Sequence, residues 1–168
     1  MSIAGVVSVA SALTAVVAVA LSLRQTRLMS RQSLVPVVLE AFREARSPEW
    51  FEARDFIVER LVAEISPAQG VTRQPPQARA ALRKVGFLFD NFGLLVAHRV
   101  VPEELVIGFF GGYLDHLWKI MEPYIRKEAE LTGQGYMVFF EDLVARSRSH
   151  SIENVRETLG LRSIDTDL

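Results

Sequence analysis

The sequence predicts an all-α protein, with an N-terminal single transmembrane helix followed by a small bundle of about four to five helices. Three observations predict it. Apolar residues recur at helical spacing, as Tyr136, Phe139, Phe140 and Leu143 do at i, i+3, i+4 and i+7. Helix starts carry N-cap and proline signals, and no segment alternates apolar and polar residues as a half-buried strand would. One N-terminal run is uncharged and long enough to span a bilayer.

That run is Ile3 to Leu23, in which 16 of 21 residues are apolar and the others are Gly5, Ser8, Ser11, Thr14 and Ser22. As a helix it is about 32 Å long at ~1.5 Å per residue, against a hydrocarbon core of ~30 Å. Arg24, Arg27 and Arg31 follow, with no acid before Glu40. Basic residues after a span hold that side in the cytoplasm, so the expectation is a single-pass cell-membrane protein with a cytoplasmic C-terminal body. Its first partner is then the lipid bilayer, through residues 3–23. Two rival readings stay open. A cleaved signal peptide fits Ala18-Val19-Ala20 as a small-x-small site, but Met1 to Gly5 supply no Lys or Arg and the basic cluster lies on the wrong side. A buried core helix fits the dilution by Ala and Ser, although core helices are seldom apolar all round. Small residues at Ala4, Ser8 and Ala12, and at Ser11 and Ala15, let two membrane helices approach, so a homo-oligomer is a further possibility.

The organisation read from these features has three parts: residues 1–33 as anchor and basic juxtamembrane segment, 34–147 as the helical bundle, and 148–168 as a polar C-terminal tail. The helical pattern of the anchor ends near Val35-Pro36, because the residue before proline is pushed out of the helical region. A short segment from Val37 to Arg46 comes next. Ser47-Pro48-Glu49 then opens a helix to about Ile65, with Trp50, Ala53, Ile57 and Leu61 on one face. Ser66 to Pro76 is a loop by composition. A long helix follows from Gln77 to Arg99, and another from Pro102 to about Leu131, which Pro123 should kink or break. Thr132-Gly133-Gln134-Gly135 is a turn before the last stripe, and a short helix is possible before Gly160.

Composition removes several function classes. The chain has 168 residues and no cysteine, which excludes disulfide frameworks, thiolate metal sites and thiol nucleophiles. A net charge of −1 argues against a nucleic-acid partner. That value is a cancellation, since residues 1–33 carry +3 and residues 34–168 carry −4.

The residues with chemical potential are few. Asp90 and Asn91 interrupt the apolar stretch Val85 to Val96, either as a ligand or metal site or as part of the helix's one polar face, where Asp90 lies two turns after Arg83 and can pair with a basic group of a neighbouring helix. His98 stands near a helix C-terminus, where a cation opposes the dipole. Asp115 belongs to a polar stripe with Lys119, an ordinary i,i+4 pair, and His116 shares the phase of Phe109 and Ile120 as a partly buried structural histidine. Asp90, Asn91, His98, Asp115 and His116 are thus a candidate cluster. The Glu-x-x-His of di-iron bundles, the His-Glu-x-x-His of helical zinc proteases and the Gly-x-Ser-x-Gly elbow are all missing. No catalytic residue, metal or cofactor is predicted. Gly108, Gly111 and Gly112 fall inside the long helix, where each costs about 1 kcal/mol relative to Ala; close approach of another helix is their expected reason, with a ligand-facing gap as the alternative.

Four segments together resemble the bacterial family catalogued as domain of unknown function 4760, whose members are short proteins with one N-terminal membrane helix and a helical body. They are Phe42 to Glu49 with Ala53 to Val58; Phe89 to Val96; Phe110-Gly111-Gly112-Tyr113 with Leu117-Trp118 and Pro123-Tyr124-Ile125; and Phe140 to Leu143. The string from Gly-Gly-Tyr through Trp to Pro-Tyr-Ile is the most specific. The family pattern has Glu where Asp90 stands, a second acid at Asn91, and a glycine near the turn where Val100 and Val101 stand. The resemblance implies an anchored helical body and supplies no substrate, cofactor or reaction. The preferred expectation is therefore a non-catalytic interaction or scaffold module on the cytoplasmic face, its protein partner unknown. The alternative is a small-ligand-binding or metal-dependent helical enzyme using Asp90, His98, Asp115 and His116.

Overall fold

A computed structural model describes residues 35–150, 152–158 and 160–162. The apolar run 3–23 and Arg24, Arg27 and Arg31 lie outside the described residues. Among those described, no helix is long and apolar enough to cross a membrane, and every regular element is helical. The described residues from Glu40 onward belong to one compact unit.

Helix α1 spans Val35–Glu44; the expected end of the anchor pattern falls at the edge of the described residues. Helix α2 (Pro48–Phe56) opens as its signals require: the Ser47 hydroxyl accepts from the Trp50 amide at 3.2 Å, Pro48 takes the first turn and Glu49 faces the positive end of the dipole. It continues through a π-helical segment, Ile57–Leu61, into α3 (Val62–Glu64). The predicted inner face is observed, with Trp50, Ile57 and Leu61 buried and Ala53 half-buried. The expected loop is observed from Ser66 to Pro75, with one 3-10 turn at Pro67–Gln69, and Pro76 already belongs to the next helix.

Helix α4 (Pro76–Ala97) is the central element, packing most extensively against α7 and then α2. It ends two residues before the predicted Arg99. The Val100 amide reaches back to the Leu95 carbonyl at 2.8 Å and the Arg99 amide to Val96 at 2.9 Å, a Schellman ending with Arg99 at φ 55°.

The single helix expected from Pro102 to Leu131 is two: α5 (Glu103–Phe110) and α6 (Tyr113–Thr132). Gly111 separates them at φ 51° and ψ −133°, a conformation that L side chains rarely adopt. The expectation that Gly111 and Gly112 lie mid-helix for close packing is therefore corrected. A Cβ on Gly112 would have nothing within 4 Å, and one on Gly108 would meet only Val155 Cγ1 at an ordinary 3.5 Å. The expected break at Pro123 is absent, and α6 runs through it.

The turn after α6 is capped by Gly133 at φ 69°. Helix α7 (Val138–Ser149) follows, so the helical body extends past residue 147. Helix α8 (Ile152–Thr158) places a buried Val155 beside Gly108 of α5, which gives the expected polar tail an apolar foothold. The core is aromatic. Phe89 stacks on Phe140 with centroids 4.9 Å apart, Trp118 meets Phe140 edge-on at 5.1 Å, and Phe110 meets both Phe89 and Phe92.

Candidate functional site

The polar residues of α4 explain how the bundle is assembled. Helix α7 begins without a capping side chain, because its N-cap position is Met137, held in the left-handed region at φ 52° with its side chain buried. The amides of the first turn still need acceptors. Asp90 Oδ1 supplies one, accepting from Phe139 N at 2.9 Å and Phe140 N at 3.0 Å. These are the second and third positions of α7, the amides that a Ser or Asp at the N-cap would bind. On the same side of α4, Gly86 and Gly93 flank Asp90. A Cβ at Gly93 would overlap the Phe139 carbonyl, and one at Gly86 would overlap the Met137 thioether. On this helix, Gly86 and Gly93 are thus the glycines that let α7 and the turn before it approach.

A second carboxylate does similar work elsewhere. Glu128 of α6 is buried, with 4% of its surface exposed. Its Oε2 accepts from the Val71 amide at 2.7 Å and the Thr72 amide at 2.9 Å, and its Oε1 accepts from the Thr72 hydroxyl. Burial pushes this carboxyl up, but the three hydrogen bonds, helped by the Arg83 guanidinium, outweigh it and hold Glu128 below its ordinary value. Gly70, at φ 68°, lies against Glu128 so closely that a Cβ would overlap its carboxylate. Buried Gln74 closes the loop by donating to the carbonyls of Ser66 and Gly70, both at 2.8 Å.

Arg83 lies between these two anchor points. Its Nη2 reaches Thr72 Oγ1 at 3.5 Å, and its buried Nε has no partner. Tyr136 is nearby, its hydroxyl buried without a well-formed hydrogen bond, and burial raises its pKa while Arg83 pulls the other way. The sequence singles out Asp90 but points to a basic side chain as its partner, whereas the structure gives it two backbone amides of α7. Glu128 and Tyr136 were missed.

The remaining candidates lie apart. Asn91 is exposed, in a surface depression of about 400 Å³ with Lys84 and Phe87. His98 is exposed at the C-cap of α4. Asp115 bridges Lys119 at 2.6 Å and Arg148 at 2.7 Å, and these two cations hold its carboxyl below its usual range. His116 is exposed, correcting the expected partial burial, and lines a depression of about 380 Å³ with Lys119, Ile120 and Tyr124. Asp90 is not among its walls. Only Asp115 and His116 are neighbours, and among the described residues no group of three His, Asp or Glu side chains is placed to hold a metal ion.

A family model described as a domain of unknown function, DUF4760, matches residues 8–147. The chain belongs to DUF4760. No curated protein and no solved structure is similar enough to be matched. The DUF4760 match takes in both carboxylate anchor points, Asp90 with its α7 amides and Glu128 with its loop, and it begins inside the N-terminal apolar run.

Proposed function

We propose that this DUF4760 protein is a membrane-tethered, non-catalytic interaction module whose helical body sits on the cytoplasmic face. The observation that carries the proposal is the uncharged run Ile3–Leu23 followed by Arg24, Arg27 and Arg31. The family match supports it, because residues 8–23 fall within the shared domain as a cleaved leader would not. The body also offers a surface for a partner: Phe51, Val58 and Val62 stand exposed along the α2–π–α3 helix, Val62 with 70% of its surface in solvent. Its well-placed carboxylates, Asp90 and Glu128, are engaged with backbone amides.

Fractionation of cells expressing the full chain tests the tether. The protein should pellet with membranes, resist alkaline carbonate and dissolve in detergent; recovery in the soluble fraction after lysis would overturn it. Because the chain has no cysteine, single cysteines at Ser2 and Gln134 report orientation with a membrane-impermeant maleimide. Labelling of Ser2→Cys but not Gln134→Cys in intact cells is expected, and the reverse pattern would put the body outside.

A further inference from the structure

We propose that the depression between α3 and α6 is a binding site for a single-chain amphiphile with an anionic head, such as a medium-chain carboxylate. Its apolar walls come from Val62, Ile65 and Pro67 on one side and from Ile120 and Pro123 on the other. The wall on the α3 side is fixed in place. Tyr124, buried in α6, donates its hydroxyl to the Ile65 carbonyl at 2.6 Å and lies 3.4 Å from the Leu61 carbonyl, which ties the end of the π segment to α6. Ile65 then turns extended, at φ −130° and ψ 121°, and carries the chain away over Pro67. The two helices therefore diverge at a pinned point and leave an open apolar wedge.

Charge at the mouth selects the head group. Lys119 and Arg148 share the single carboxylate of Asp115, so this trio carries one positive charge in excess. Lys119 lines the depression together with His116, and both are exposed, which places an ammonium and an imidazole at the rim of an apolar hollow. The volume of about 380 Å³ lies near the small end of ligand cavities, which span roughly 300–1,000 Å³, and suits one chain better than a two-chain lipid. An amphiphile would set its tail against Val62, Ile65 and Ile120 and its carboxylate against Lys119, with His116 donating a second hydrogen bond. The inference does not depend on the tether, since every group in it belongs to the helical body.

The test uses the full chain in dodecyl maltoside with a decanoate that carries a diazirine at its tail, and the methyl ester of the same probe. After irradiation, peptide mapping should place the decanoate label on residues 62–67 and 116–124. The ester should label these peptides far more weakly. Lys119→Glu should lower decanoate labelling roughly three- to tenfold, the range expected when a surface attraction becomes a repulsion, and Val62→Glu should lower it as well. Both positions are exposed, so an unchanged thermal midpoint separates lost binding from lost folding. Equal labelling by acid and ester, labelling that neither variant changes, no labelling, or label confined to residues 3–23 would each overturn the proposal.

Discussion

Asp90 accepts the backbone amide of Phe139 at 2.9 Å across 49 residues of chain, and one turn further along α4 Gly93 makes room for the carbonyl of the same residue. The N-terminus of α7 is thus held by a side chain and a missing side chain on one face of α4. Replacing Asp90 by Ala leaves two partly buried amides without an acceptor and should cost about 1–2 kcal/mol, as loss of a strong N-cap does. Asp90→Asn keeps an oxygen that can accept both bonds and should retain most of that stability. Urea titrations with an unchanged slope would show this order; equal losses for Ala and Asn would mean that charge, not acceptance, matters here.

The two glycine sets should behave oppositely. Gly93→Ala forces its Cβ into the Phe139 carbonyl, which is backbone and cannot rotate away, so a loss of at least about 2 kcal/mol is expected, within the range for overpacking. Gly112→Ala meets open space at an ordinary φ of −67° and should fall within about 0.5 kcal/mol of wild type. Thermal midpoints of the two variants decide it, and a Gly112 effect as large as that of Gly93 would contradict the geometry.

How far these features were legible follows from what each residue announces. Ser47-Pro48-Glu49 states a helix start in local chemistry, and that start is where the signals put it. An aspartate within the run Val85 to Val96 needs donors, and a helix opening on Tyr136-Met137-Val138 with no capping residue needs an acceptor. Both halves of the Asp90 contact were therefore visible, but their pairing is set by tertiary approach. Glu128 is disguised among Lys127 and Glu130, yet it stands four residues after Tyr124 and seven after Met121, both buried. Phase was the available signal. His116 misled for a related reason: it shares the phase of Phe109 only if one helix runs through Gly111, and the turn at φ 51° resets that phase. The π segment Ile57–Leu61 has no local signature in the sequence, because its extra residue per turn is accommodated by packing.

Arg99 holds a left-handed position at the C-terminus of α4 with φ 55°, where a β-carbon costs roughly 1–2 kcal/mol. Arg99→Gly removes that strain at the Schellman position and should stabilise the protein by about 1 kcal/mol after the added flexibility of the unfolded chain is counted. For a chain of this length that is a rise of about 2–4 °C in Tm. A fall in Tm would mean that the arginine side chain contributes more than its backbone conformation costs.

Glu128 should make stability depend on pH in the acid range. Its carboxyl lies below its ordinary value in the folded chain, so the unfolded state binds the proton more readily and the carboxylate favours folding above the unfolded value, about 4.3. That contribution is complete above this pH and is lost as pH falls through the lower folded value. Glu128→Ala should cost about 2–3 kcal/mol at neutral pH, because the buried Val71 amide and the neighbouring Thr72 amide lose their acceptor. Glu128→Gln can keep an oxygen on those amides and let the Thr72 hydroxyl reverse its role, so it should cost less than Ala. Glu128→Gln should also flatten the stability–pH curve below about pH 4.3. Urea midpoints from pH 7 to 3 test both parts. If wild type and Glu128→Gln lose stability in parallel on acidification, the buried carboxylate is not the group that responds.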